Sequence, residues 1–412
     1  MASKQNAAIA FILVTVIIDM LAFGMIIPVL PILVQDFVGG KPARAAEIYG
    51  LFGTAWALMQ FIFTPVQGSL SDHFGRRTVI LISCTGLGLD FILMALAPNL
   101  WWLLLGRVIS GITAASFSTA GAYIADITPP EQRAQRFGLI GAAFGIGFVI
   151  GPALGGFLGS ISPRLPFWAS AVMALTNVCW GLFILPESLP KEKRVHFSWK
   201  AANPVGAIRL LSSKPVLKGL AGSYFLMNLA HVVLPSTTVL YLHYRYGWDT
   251  GAVGAVLAGV GICAFVVQGF LVKPLVRMLH ERRALVVGLC FGATGFAIYG
   301  LAPTGPLFWI GVPVMSLWGI ATPSMQSIMT QQVDPSHQGR LQGALSSLMG
   351  LASLVGPLIF TQTFATFIGN RADLGLPGAP FLLAALLVFS AMLLAWRTTR
   401  PLTMRTAATE VA

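Results

Sequence analysis

Three ionisable side chains stand alone inside long apolar runs: Asp19 in VTVIIDMLAFG, Asp90 in LGLDFILMAL and Arg107 in LLLGRVISGIT. A carboxylate in such surroundings costs several kcal/mol unless it is protonated, paired or hydrated, and a group poised between those conditions is what proton carriage requires. Asp19 has a second reading, as a structural carboxylate hydrogen-bonded to nearby backbone. Asp90 has a similar claim to the carrier role. Arg107 cannot lose its proton, so burying it demands acidic or carbonyl partners, and Asp19 and Asp90 are the acids on offer. It serves either a proton relay or the bracing of one span against another.

A fourth concentration of charge is GSLSDHFGRR, residues 68–77, with Asp72, His73, Arg76 and Arg77 in a chain that is 10% charged. Gly68 and Gly75 permit tight backbone turns, and Asp72 precedes Arg76 by four residues, within reach of a salt bridge. Such a cluster could act as a latch that forms in one state and releases in another, or be a solvated turn. Asp126, Glu131, Arg133 and Arg136 in YIADITPPEQRAQRFG are positioned to join it. In GIGFVIGPALGG, residues 145–156, Gly147, Gly151 and Gly155 recur every four residues, making a face on which another helix can approach closely, and Pro152 removes a backbone donor and bends the helix. That seam suits a gate between the halves of the chain. Gln60, Asn228, His231 and Gln326 are isolated polar residues in apolar stretches and are candidates for substrate contact, although His231 reads equally as a satisfied core histidine.

These residues need long apolar elements to hold them. With 56% apolar content over 412 residues, the chain reads as an all-α membrane protein. Twelve spans are predicted, at about 8–34, 46–69, 79–97, 100–125, 135–160, 165–186, 215–242, 250–275, 284–302, 306–330, 340–368 and 377–396. The first is too long for a signal peptide core and carries Asp19, so it is read as a retained helix. The net charge of +12 follows topology. With the N-terminus cytoplasmic, only Lys41, Arg44, Arg164, Arg245 and Arg371 fall on the far side and Arg107 within a span, the remaining Lys and Arg facing the cytoplasm with both termini. Nucleic acid is therefore not an expected partner. Cys84, Cys179, Cys263 and Cys290 all lie in spans without paired spacing, so neither a disulfide framework nor a metal site is expected. No G-x-x-x-x-G-K-[ST] phosphate loop occurs, and no nucleophile, base and metal set converges, which argues against an enzyme or built-in ATPase.

The longest polar stretch, 187–214, divides the chain into a first six-helix bundle (1–186) and a second (215–412). The halves repeat: Gly138, Gly151 and Pro152 recur 205 positions later as Gly343, Gly356 and Pro357, and Arg76-Arg77 recurs 206 later as Arg282-Arg283. Paired six-helix bundles with a midplane site are a transporter architecture. Met278 stands near where Asp72 would repeat and Gln331 where Asp126 would, so the latch is expected to be concentrated in the first half.

GSLSDHFGRR resembles the loop 2–3 signature of the major facilitator superfamily, G-x-L-[AS]-D-[RK]-x-G-R-[RK], departing from it at His73. LLLGRVISGIT is similar to that family's helix-four motif, and GIGFVIGPALGG to its helix-five antiporter motif, G-x-x-x-G-P-x-x-G-G. IIDMLAFGMIIPVLP, ALMQFIFTPVQGSLSDHFGRR and AGAYIADIT resemble drug/proton antiporters of the tetracycline-efflux type more closely, over nearly the whole chain. The resemblance implies a monomeric antiporter of the bacterial inner membrane, exporting amphipathic small molecules by alternating access on the proton gradient without a cofactor, in contact with substrate, protons and the lipid bilayer. It places Arg107 in the proton relay. A proton-coupled nutrient symporter of the same fold is the alternative. The sequence departs from the tetracycline exporters at Gly247, where they carry a histidine, and at Gly292, where they carry an intramembrane aspartate.

Overall fold

Proline opens several of the helices, at the first-turn positions where its missing N–H is no loss, among them α2 (Leu30–Phe37), α3 (Pro42–Phe74), α7 (Pro130–Ile161), α8 (Leu165–Ile184), α9 (Pro215–His231) and α13 (Gly305–Ser316). The others are α1 (Ala2–Ile26), α4 (Arg76–Leu96), α5 (Leu100–Thr113), α6 (Ser116–Ile127), α10 (Val233–Tyr246), α11 (Thr250–Val266), α12 (Val272–Leu301), α14 (Ala321–Gln331), α15 (Gln338–Ile368) and α16 (Ala379–Glu410). This computed structural model describes residues 2–114, 116–195, 211, 214–334 and 338–410, and their regular elements are all helical. Most of the 187–214 stretch lies outside the described residues.

Ten helices are long and apolar enough to cross a membrane. One of these, Thr250–Leu301, runs for 52 residues and is broken at His280 by non-helical φ and ψ. At 1.5 Å per residue it is more than twice the length of one crossing of about 30 Å, so it supplies two passages. The shorter apolar α5, with α6 after it in the chain, accounts for a further one. These are the twelve passages expected. Large apolar side chains point outward, Phe183 at 89% exposure and Phe157 at 63%, as suits a protein whose solvent is lipid.

The chain forms two units: Met1–Asn203 with Leu242–Gly261, and Pro204–Tyr241 with Ile262–Ala412. Inside each, the same helix pairs pack. In the first unit α1 meets α7 and α8, and α4 meets α8; in the second, α9 meets α15 and α16, and α12 meets α16. The irregularities repeat as well. The break after α1 at 27–29 has its counterpart 205 positions on at Val232, between α9 and α10, and the break at 114 between α5 and α6 corresponds to the tight turn Leu317–Ile320 between α13 and α14.

Candidate functional site

Asp19 sits in the body of α1, 7% exposed. The small-residue face of α7 lies on the same stretch. A Cβ on Gly147 would stand 2.6 Å from Met20 Cβ and 2.7 Å from the Ile17 carbonyl; on Gly151, 2.8 Å from the Leu21 carbonyl. Gly155 approaches the Met25 backbone more closely still. These glycines therefore allow α7 and α1 to touch backbone to backbone, on both sides of Asp19. Sequence alone predicted a seam between the halves of the chain; Gly147, Gly151 and Gly155 face α1 of the first half, while Pro152 and Gly156 of the same motif meet α11 of the second. The glycine spacing says that a helix approaches and leaves open which one. Pro152 and Gly156 turn to another neighbour: a Cβ on Gly254 would meet the Pro152 carbonyl at 2.7 Å, and one on Gly156 the Thr250 carbonyl at 2.6 Å.

Asp90 on α4 and Arg107 on α5 are both buried, with Arg107 Nη2 3.7 Å from Asp90 Oδ2. Gly106 makes the approach possible, because a Cβ there would stand 2.7 Å from Asp90 Oδ1. Arg107 Nη2 also donates to Met94 Sδ at 3.2 Å. Arg107 Nε lacks a hydrogen-bond partner, and the ion pair with Arg107, together with the Ser110 side chain, is what the buried Asp90 carboxylate has for company. Of the two acids available to Arg107, Asp90 is the one it meets in an ion pair.

The charged signature is built differently from its reading as a turn. Residues 68–74 continue α3, and Gly68 is an ordinary helical residue with open space around its Cα. The i to i−4 ladder simply runs past it, so Gly68 supplies no tight turn. Gly75 alone reverses the chain, with φ 102 and ψ 153, and a Cβ there would collide with the Glu187 carboxylate. Asp72 Oδ1 pairs with Arg76 Nη2 at 2.6 Å, and Arg76 Nε reaches Asp126 Oδ2 at 3.2 Å. Asp72, Arg76 and Asp126 are thus brought together as expected. The side chains of Glu131 and Arg133 lie outside the described residues.

Sequence reasoning missed Glu187. Its Oε1 accepts from the Arg76 backbone N–H at 2.9 Å and from those of Ser188 and Leu189, while Oε2 lies 3.6 Å from Arg194. A carboxylate at the start of α4 satisfies amide groups that the helix leaves open there. Ser188 donates to Asp126, and the Val195 N–H to the Asp72 carbonyl. The segment after α8 therefore straps the latch. Because Asp72 is 48% exposed, its pair with Arg76 is worth at most about 1 kcal/mol, and Asp72→Asn is expected to slow turnover by no more than about fivefold. Substrate affinity should stay unchanged; affinity and export rate measured on one preparation check this.

The polar substrate candidates are spread over both units. Gln60 lies on α3 in the first, where Trp56 and Met59 meet Gly111 of α5. In the second, Asn228 donates back to the Tyr224 carbonyl at 2.8 Å, Gln326 is half-buried on α14, and exposed His231 ends α9 with its ring 5.7 Å from that of Trp318. Trp318 also fills the space beside Gly292, where a Cβ would stand 2.7 Å from the indole Cγ.

A model of the Major Facilitator Superfamily matches residues 12–357. The chain belongs to this superfamily. It is 40% identical over 365 residues to the class C tetracycline resistance protein of Escherichia coli, covering 88% of this chain and 91% of that protein. The class G tetracycline resistance protein of Vibrio anguillarum is 36% identical, with 89% and 92% covered. Among solved structures, the bacterial homologue of the human lysosomal transporter Spinster, in an inward-facing and unoccupied conformation, superposes with a TM-score of 0.78 at 18% identity, over 96% of this chain and 97% of that one. The repeat seen in the helix pairs is thus that of a superfamily transporter.

Proposed function

We propose that this protein is a proton-coupled antiporter that exports amphipathic small molecules by alternating access, as a monomer in the bacterial inner membrane with both termini in the cytoplasm and with the proton gradient in place of any cofactor. The observation that carries this reading is the seam at Asp19. The backbone of α7 lies against α1 on both sides of the carboxylate, so a change of charge at Asp19 acts on two helices packed too closely to move independently. The Asp90–Arg107 pair supplies a second buried carboxylate that either the arginine or a proton can satisfy. The tetracycline resistance proteins among the relatives support drug export as the direction.

Cells expressing the protein are expected to accumulate less ethidium than cells without it, and to lose the difference when an uncoupler collapses the gradient. Higher accumulation in energised cells would instead mark an importer. Tetracycline itself is expected to be a poor substrate, giving little or no resistance in a susceptible host. The indole of Trp318 occupies the space beside Gly292, so that wall of the second unit offers an aromatic surface in place of a carboxylate, and sites built on polar contacts discriminate strongly when a partner is missing. Full tetracycline resistance that disappears in Asp19→Asn would contradict this.

A further inference from the structure

The first unit's latch is a three-way junction. The chain reverses at Gly75, Arg76 reaches Asp126 at the end of α6, and Arg77 Nη2 donates to the Leu182 carbonyl at the end of α8 at 2.7 Å. The 205-residue offset carries Gly75 to His280, Arg76 to Glu281, Arg77 to Arg282 and Asp126 to Gln331. His280 has φ 64 and ψ 157, the half of backbone space that Gly75 also occupies, and it is the one residue other than glycine with positive φ among those described. A side chain with a Cβ holds that conformation only where its surroundings impose it.

The surroundings repeat too. Gln331 Nε2 lies 2.9 Å from Glu281 Oε2 and 3.1 Å from Oε1, and Ser327 Oγ donates to Oε1. Arg282 Nε donates to Thr399 Oγ1 at 3.1 Å, and Nη2 to the Trp396 carbonyl at 3.4 Å, towards the end of α16. Start of one helix, end of a second and end of a third meet as in the first unit. The chemistry is inverted: a cation paired with a carboxylate in one unit, a carboxylate held by an amide and a hydroxyl in the other.

We propose that Glu281 is a positioning residue for transport, the centre of a second latch that uses one charge and neutral partners. It ties the reversal at His280 to α14, so that the helix ends of the second unit move as one body, as Arg76 does for the first. No ion pair involves Glu281 among the described residues, so the hydrogen bonds from Ser327 and Gln331 are what hold it. This role rests on the transporter reading above, and its test has one readout independent of transport.

The test combines amide hydrogen exchange on the purified full chain with ethidium export from cells, for wild type, Glu281→Ala, and the double variant Glu281→Arg with Gln331→Asp, which installs the first unit's pair in the second. Removing hydrogen bonds to a charged group should speed exchange around 280–283 and 327–331 by about tenfold or more in Glu281→Ala. Maximal export should fall by about fivefold, the same order as a latch pair, with the half-saturating ethidium concentration unchanged. The double variant should restore both. Exchange that responds and is restored, in a protein whose wild type exports nothing, would support the junction and sink the transporter reading. Unchanged exchange in Glu281→Ala, a loss that the double variant fails to restore, or export indifferent to all the variants in a protein that does export would overturn the proposal.

Discussion

Replacing Asp19 by Asn is expected to bring gradient-driven export to background while leaving a folded, monodisperse protein. Asparagine matches aspartate in shape, so the contacts of α1 with Gly147 and Gly151 of α7 should survive. What it lacks is the ability to exist both with and without a charge. If α1 and α7 respond to that charge, the variant is held in one condition and the gradient has no purchase on the helices. Facilitated movement of substrate down its own gradient can persist, so uphill and downhill export should be measured on the same vesicles. Undiminished uphill export would remove Asp19 from the coupling step.

Arg107→Ala should have a comparably large effect for a different reason. Asp90 is fully buried, and Arg107 is the cation beside it. Removing one member of a buried pair typically costs about 3–5 kcal/mol, because the other is left uncompensated. A marked loss of thermal stability in detergent is expected, together with loss of export. Adding Asp90→Asn to Arg107→Ala removes the stranded carboxylate and should recover much of the stability, yet leave export lost. If Arg107→Ala unfolds like the wild type, the pair does not hold α4 to α5; if the double variant exports normally, neither residue belongs to the relay.

Much of this was legible because charge is expensive in an apolar chain and therefore conspicuous. Asp19, Asp90 and Arg107 stood out by isolation, and the glycines of α7 by their four-residue spacing. What spacing could not give was partners. The identity of the helix against Gly147 and Gly151 is a tertiary fact, as is the choice of Asp90 by Arg107. Gly68 misled because a glycine beside charged residues reads as a turn, whereas the helix ladder of α3 continues to Phe74. Glu187 was hidden in a basic, proline-marked segment, and its role depends on the chain folding back over Gly75. Glu281 was hidden by matching residues by type: aligning Arg76-Arg77 with Arg282-Arg283 shifts the register by one, and the true counterpart of Arg76 carries the opposite charge. Among the described residues the latch ion pairs made by Arg76 lie in the first unit, and helix ends meet through hydrogen bonds around Glu281 and Arg282 in the second.

Proton-coupled export requires that protons and the exported molecule move in opposite directions through this chain, with Asp19 joining the two. Everted membrane vesicles energised to an acid interior, with a quenched pH-sensitive dye reporting the gradient, test it most directly. Adding ethidium to vesicles containing the wild-type protein is predicted to discharge part of the gradient and recover dye fluorescence as ethidium enters, and to do neither in vesicles containing Asp19→Asn. If ethidium accumulates in the wild-type vesicles while the gradient is unaffected, or if the variant discharges the gradient equally, export is not coupled to protons through Asp19.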